Sequence, residues 1–224
     1  MDPGGCPDPI YSRIIAEVMK IPLFPLDVVL FPGAPLPLHI FEDRYKEMVT
    51  SCIERQMPFG VVRAQSEGLA VVGCTAQIVT VLQQYADGRM DILCEGGERF
   101  EIELLDTSQA YLQAEVDRFL DLGEESSREE RAQCTALHLE VMELIGLNDN
   151  QASPRNLAID LDAPVSFTLA WTLPADLNFK QELLVTRSDA ERTAKLLAFY
   201  NAILPKLRRG AQTSRASGRN GHVM

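Results

Sequence analysis

From Ile21 the chain alternates short apolar runs with proline, in the text IPLFPLDVVLFPGAPLPLHIF. Proline lacks an N–H and restricts φ, so this text predicts brief strands and corners near a sheet edge rather than a helix. Pro32 followed by Gly33 supplies one corner, because proline presets φ and glycine accepts the positive φ of a type II turn. The period then changes. Phe41, Tyr45, Met48, Val49, Cys52 and Ile53 recur at helical spacing, which predicts an amphipathic helix over Glu42–Gln56.

Residues 58–120 return to strand-like patterning. Short strands are expected at Pro58–Arg63 and Leu69–Gly73, then a long one at Thr75–Tyr85 whose apolar residues occupy both faces. Asp87 and Gly88 make a hairpin turn. A return strand runs through Met90, Ile92 and Cys94. In Arg99–Leu104, Phe100, Ile102 and Leu104 alternate with Glu101 and Glu103, as in a half-buried strand whose carboxylates meet water. Ala110–Leu120 closes the region.

Composition shifts at Asp121, where DLGEESSREE marks a boundary and then a helix start, with Ser126 and Glu129 at the spacing of a capping box. Cys134, Leu137, Val141, Leu144 and Ile145 carry that helix to Gly146, with His138 expected on its wet face. A polar connection follows over Asn148–Pro154. Further helices are expected at Pro164–Leu173 and Phe179–Thr186. A last one is opened by Ser188 and Glu191 and striped by Ala194, Leu197, Tyr200 and Leu204. Strands first and helices after is the pattern of an α+β protein with segregated layers. It divides the chain into an N-terminal extension (1–19), a β-rich subdomain with one helix (20–120), a helical subdomain (121–205) and a basic tail (206–224).

Charge narrows the partners. A formal net charge of −11 repels phosphate, so a nucleic-acid surface would need a local basic stripe. Lys206, Arg208, Arg209, Arg215 and Arg219 form the one basic cluster, in a stretch whose composition reads as a frayed tail. No run approaches the roughly 18 apolar residues that span a bilayer. Five cysteines without a CxxC pair and without a secretory leader read as the reduced thiols of a cytoplasmic protein, with Cys52 and Cys94 as small core residues.

Catalytic motifs are scarce. None of the lysines at 20, 46, 180, 195 and 206 precedes Ser or Thr, which excludes a P-loop, and no serine sits in GxSxG. The lysines read as solvated surface groups rather than partners in a Ser/Lys dyad. His39, His138, His222 and the cysteines lack the short spacing that aims two ligands at one metal, so neither metal nor cofactor is expected. His39, between Leu38 and Ile40, reads as a hydrogen-bonded strand histidine. No pair of carboxylates stands out for acid and base work.

One segment is specific. PLFPLDVVLFPGAPLPLHIFEDRYKEMV, residues 22–49, resembles the opening signature of the Lon N-terminal domain family. CEGGERFEIE at 94–103 and the text around 180–197 are similar to later parts of that family. The resemblance implies a PUA-like β-rich subdomain followed by a helical one, used in Lon to engage unfolded or degron-bearing polypeptides, with links to proteolytic machinery. It implies no protease activity here, since no ATPase or peptidase module accompanies the matching text. Candidate peptide contacts are Phe31, Pro32, Gly33, Phe41, Glu42, Arg44 and Tyr45, at a corner where strands meet a helix start, with Arg99 and Phe100. The alternative for these residues is fold-locking: Phe41 and Tyr45 as core, and Arg44 paired with Glu42 or Asp43. A peptide could add to a strand edge or lie between the subdomains. Competing functions are an RNA-binding PUA-like module, an unrecognised hydrolase and a structural dimer.

Overall fold

The computed structural model describes residues 19–146 and 159–218, of which 213–218 are described by backbone alone. The expected connection at Asn148–Pro154, the extension at 1–18, His222 and Arg219 lie outside the described residues. Strands β1 (Met19–Leu26), β2 (Pro35–Ile40), β3 (Phe59–Gln65), β4 (Gly68–Leu69), β5 (Val72–Gln84), β6 (Met90–Asp106) and β7 (Gln113–Arg118) come first, with helix α1 (Asp43–Arg55) between β2 and β3. Helices α2 (Arg128–Leu144), α3 (Ser166–Thr172), α4 (Leu177–Val185) and α5 (Asp189–Gly218) follow. This is the α+β order expected, and no helix among the described residues is long and apolar enough to cross a membrane.

The sheet runs β1-β7-β6-β5-β3, and a parallel pairing of β1 with β3 (Leu23 opposite Gly60) closes the ring into a barrel. Closure removes bare edges within the barrel, while β5 and β6 run on beyond it. Ile21, Leu23, Val62, Phe100, Ala114 and Val116 fill the lumen. The larger core lies outside the barrel, where α1 and the helical layer pack against β3, β5 and β6 in one continuous cluster from Phe24 to Leu204.

Strand β6 is longer than expected. The predicted return strand and Arg99–Leu104 are one element, whose first half also pairs with β2 from Pro35↔Glu95 to Ile40↔Met90. This half, with β2 and the outer part of β5, forms a three-stranded arm. Conversely, the strand expected at Leu69–Gly73 is split, because β4 ends at Leu69 and β5 begins at Val72.

Four other expectations change. The capping box of α2 belongs to Ser127 and Glu130, since Ser126 donates its N–H and hydroxyl to Asp189 instead. His138 is buried rather than wet, and its two ring nitrogens meet Tyr200 Oη at 2.9 Å and Thr172 Oγ1 at 3.2 Å. The inner stripe of α5 runs through Arg192, Thr193, Leu196, Tyr200 and Leu204, and leaves Ala194 outside. Finally, α5 continues past residue 205 to Gly218, and Arg208 pairs side-on with Glu140 of α2 at 2.6 and 2.8 Å.

Candidate functional site

The corner at residues 30–34 is built on two glycines. Gly33 takes φ +73°, as its turn requires. Its N–H donates to Gly96 O at 2.8 Å, and Gly96 N–H donates to Ala34 O at 2.9 Å. Gly96 is there because a Cβ would sit 2.0 Å from Phe31 O. Phe31 is fully buried against Phe167 of α3, and Tyr45 is buried against Phe24. Pro32 is half-buried and Gly33 exposed. Phe100 is 2% exposed inside the barrel, where Gly60 and Gly73 leave room for its ring.

Arg99 is buried at the joint between the two layers. Its Nη1 donates to Leu184 O at 2.6 Å and Thr186 O at 2.8 Å, and its Nη2 donates to Asp121. Its guanidinium stacks over Phe119 and Phe167. Arg192 of α5, 1% exposed, meets the same Asp121 with both Nη atoms and donates Nε–H to Ser166 Oγ at 3.0 Å. Ser166 and Ser126 both donate to Asp189. Burial pushes Asp121 and Asp189 up, but their donors outweigh it, and both carboxyls end below the usual aspartate range. Groups held ionised in this way are suited to clamping rather than to moving protons near neutrality. Sequence reading singled out Arg99 as a candidate peptide contact and marked a change of composition at Asp121, but it did not join them to Arg192 and Asp189, which are distant along the chain.

Phe41 and Glu42 follow β2 at the end of the arm, and the exposed Arg44 lies in the first turn of α1. Phe41, 59% exposed, stacks on His39 with ring centres 6.0 Å apart. His39 Nδ1 lies 2.5 Å from Asp91 Oδ1, and Tyr85 Oη donates to Asp91 Oδ2 at 2.8 Å. These two hydrogen bonds, His39 first, lower the Asp91 carboxyl below its ordinary range. Arg44 donates to Glu42 at 2.8 and 2.9 Å and caps the Tyr45 ring at 4.5 Å. Next to this group, β5 slips its register against β6 between Ile78 and Thr80 and again between Val81 and Gln83. The extra residues are Val79 and Leu82, 57% and 59% exposed. A bulge re-aims a side chain, and here two bulges turn apolar ones outwards. Behind them Gln77–Val81 of β5 and Cys52, Ile53 and Gln56 at the end of α1 enclose a groove of about 470 Å³. Apolar residues on both faces of β5 were the one sequence signal for this surface.

Lys180 departs from the solvated reading. It is half-buried, donates to Trp171 O at 3.1 Å, and burial lowers its pKa.

A barrel joined to a helical layer by a buried ionic clamp, with an apolar arm held out from the frame, defines a binding domain built on rigid elements. The family model of the ATP-dependent protease La (LON) substrate-binding domain matches residues 20–202, and the chain belongs to that family. The Lon protease of Paraburkholderia phytofirmans is 32% identical over 184 residues, which cover 76% of this chain and 22% of that protein. The Lon protease of Flavobacterium johnsoniae is 27% identical over 84% of this chain and 25% of its own length. The chain thus spans about a quarter of the curated relatives it matches. A Lon N-terminal domain protein from Xanthomonas campestris has a similar structure, with a TM-score of 0.64, 27% identity and coverage of 81% of this chain and 98% of that one. The N-terminal domain of Mycobacterium avium complex Lon protease shares the fold at a TM-score of 0.62 and 17% identity, over 82% of this chain and 98% of that one.

Proposed function

We propose that this chain is a non-catalytic cytoplasmic recognition module that binds unfolded or degron-bearing polypeptides and acts as an adaptor towards proteolytic machinery. Its relatives are named proteases, and the family matched is their substrate-binding domain. The observation that carries the reading is the arm itself, where Phe41 stacks on a hydrogen-bonded His39–Asp91–Tyr85 centre and the bulges of β5 leave Val79 and Leu82 exposed. Singly scattered apolar residues are ordinary, but neighbouring ones on a rigid sheet mark an interaction surface.

In this reading Phe41, Glu42 and Arg44 contact the guest. Phe31, Pro32, Gly33, Tyr45, Arg99 and Phe100 hold the frame. Nucleic acid is disfavoured by the net charge of −11 and by Glu140, which occupies Arg208 in the basic part of α5. The direct test is retention of a reduced, alkylated and therefore permanently unfolded protein by the immobilised chain, against the same protein in its folded form. Selective retention of the unfolded form is expected; equal or absent retention of both would remove the proposal.

A further inference from the structure

Strand β5 has two margins. Along one, it pairs with β6 from Val72 to Gln84. Along the other, β3 reaches only Cys74–Ala76, with Phe59 opposite Ala76 as its first residue. From Gln77 to Gln84, β6 is the one strand partner of β5 among the described residues. A strand directs N–H and C=O groups to both sides, so this outer margin presents main-chain donors and acceptors that repeat about every 7 Å. That repeat matches another extended polypeptide backbone.

Composition reinforces the point. The margin reads QIVTVLQQ, with no charge, no proline and four β-branched residues in succession. Edge strands are usually guarded by lysine, proline or shortness. The opposite edge of the same arm is guarded, because β2 carries Pro35 and Pro37 within six residues. The β5 edge is left open.

The lane beside it also has an end. Helix α1 stops at Arg55, and the chain returns through Met57 to enter the lane as β3. Cys52, Ile53 and Gln56 therefore wall the groove whose other side is Gln77–Val81. Five consecutive residues line it, odd and even alike, so it follows the strand margin rather than one face. The bulges at Val79 and Leu82 interrupt a long ladder, which suits a short guest strand better than an open-ended stack. A second copy of the chain would bring β6 attached to its β5 into a lane walled by α1, whereas a lone segment brings nothing behind it.

The geometry points to β-strand addition: a short extended polypeptide segment, uncharged over its centre and rich in β-branched residues, pairs with the outer margin of Gln77–Gln84, one end against the end of α1. This rests on the reading of the chain as a polypeptide-recognition module and gives it a mechanism. Folded proteins keep such segments inside, so a site that requires a free strand selects unfolded ones.

The probe is a synthetic peptide of about twelve residues with a Val/Thr core and lysines at both ends, together with two versions N-methylated on alternate core amides. With the full chain labelled for NMR, the parent peptide is expected to shift and slow exchange of amides within 77–84. Methylation on the pairing margin should weaken binding about ten-fold or more, and methylation on the other margin should leave it intact, because only one margin loses hydrogen bonds. Val79→Lys with Leu82→Lys should weaken binding about five-fold or more without moving the melting temperature, since both side chains are exposed. Equal binding of both methylated forms would overturn strand addition and leave polypeptide recognition standing. Retention of unfolded protein without any response at 77–84 would place the site elsewhere, and loss of both would end both readings. A concentration-dependent dimer abolished by Val79→Lys would assign the margin to a second copy instead.

Discussion

Arg192 meets Asp121 end-on, Nη1 to Oδ1 at 2.8 Å and Nη2 to Oδ2 at 2.6 Å, across the joint between barrel and helices. Arg99 takes the same carboxylate from the barrel side. One aspartate thus bridges two buried guanidiniums that would otherwise repel each other, and Asp189, 3.8 Å from Arg192, supplies a second negative charge. Asp121→Ala should cost about 3 kcal/mol, the lower end for a broken buried pair, because one side of Asp121 meets water. Urea unfolding followed by circular dichroism checks this, and a loss below about 1 kcal/mol would show that the clamp is not a significant source of stability.

Stability should fall with acid in two stages. Burial lowers the His138 pKa to about 4, so the folded protein refuses a proton that the unfolded chain accepts below about 6.5. Between those values stability declines as pH falls, by about 3 kcal/mol in total, and this contribution then levels off. Asp121 and Asp189 have depressed folded pKa values, so their contribution is present above the ordinary aspartate pKa of about 3.9 and is lost as pH drops through the folded values. His138→Gln should flatten the upper slope and leave the lower one. Melting temperatures across pH measure both.

Two glycines at the same corner should respond differently. Gly96→Ala forces a methyl group onto the Phe31 carbonyl and should cost about 3 kcal/mol. Gly33→Ala meets open space, and only its positive φ is penalised, by about 1 to 2 kcal/mol. Comparison of the two melting curves separates close approach from backbone strain.

Two phenylalanines separate recognition from folding. Phe41→Ala should leave stability within about 0.5 kcal/mol and weaken capture of unfolded protein several-fold. Phe100→Ala opens the barrel lumen and should cost about 3 to 5 kcal/mol. A Phe41 variant that binds as well as the parent would remove this ring from the contact surface.

Much of the architecture was legible because it is local. The spacing of Tyr45, Met48, Val49 and Cys52 already buries one face of α1, and the proline-broken text at 21–41 already excludes a helix there. Asp87 and Gly88 turn a hairpin by their own chemistry. Where two local solutions were equal, distant contacts chose. Ser126–Glu129 and Ser127–Glu130 have the same capping spacing, and the second pair caps α2 because Asp189 draws Ser126 away.

The order of strands and helices, the corner at Pro32 and Gly33 and the family signature around them follow from neighbouring residues and repeating periods, which the chain carries whatever its partners. The burial of Arg192 and His138 depends on groups far along the chain, Asp121 for one and Tyr200 and Thr172 for the other. The open margin of β5 depends on where β3 begins, with Phe59 opposite Ala76, and on α1 walling the lane beyond. A polar side chain is buried only if its partner arrives in space, and an edge is open only if no strand lies beside it. Both are properties of the packed fold.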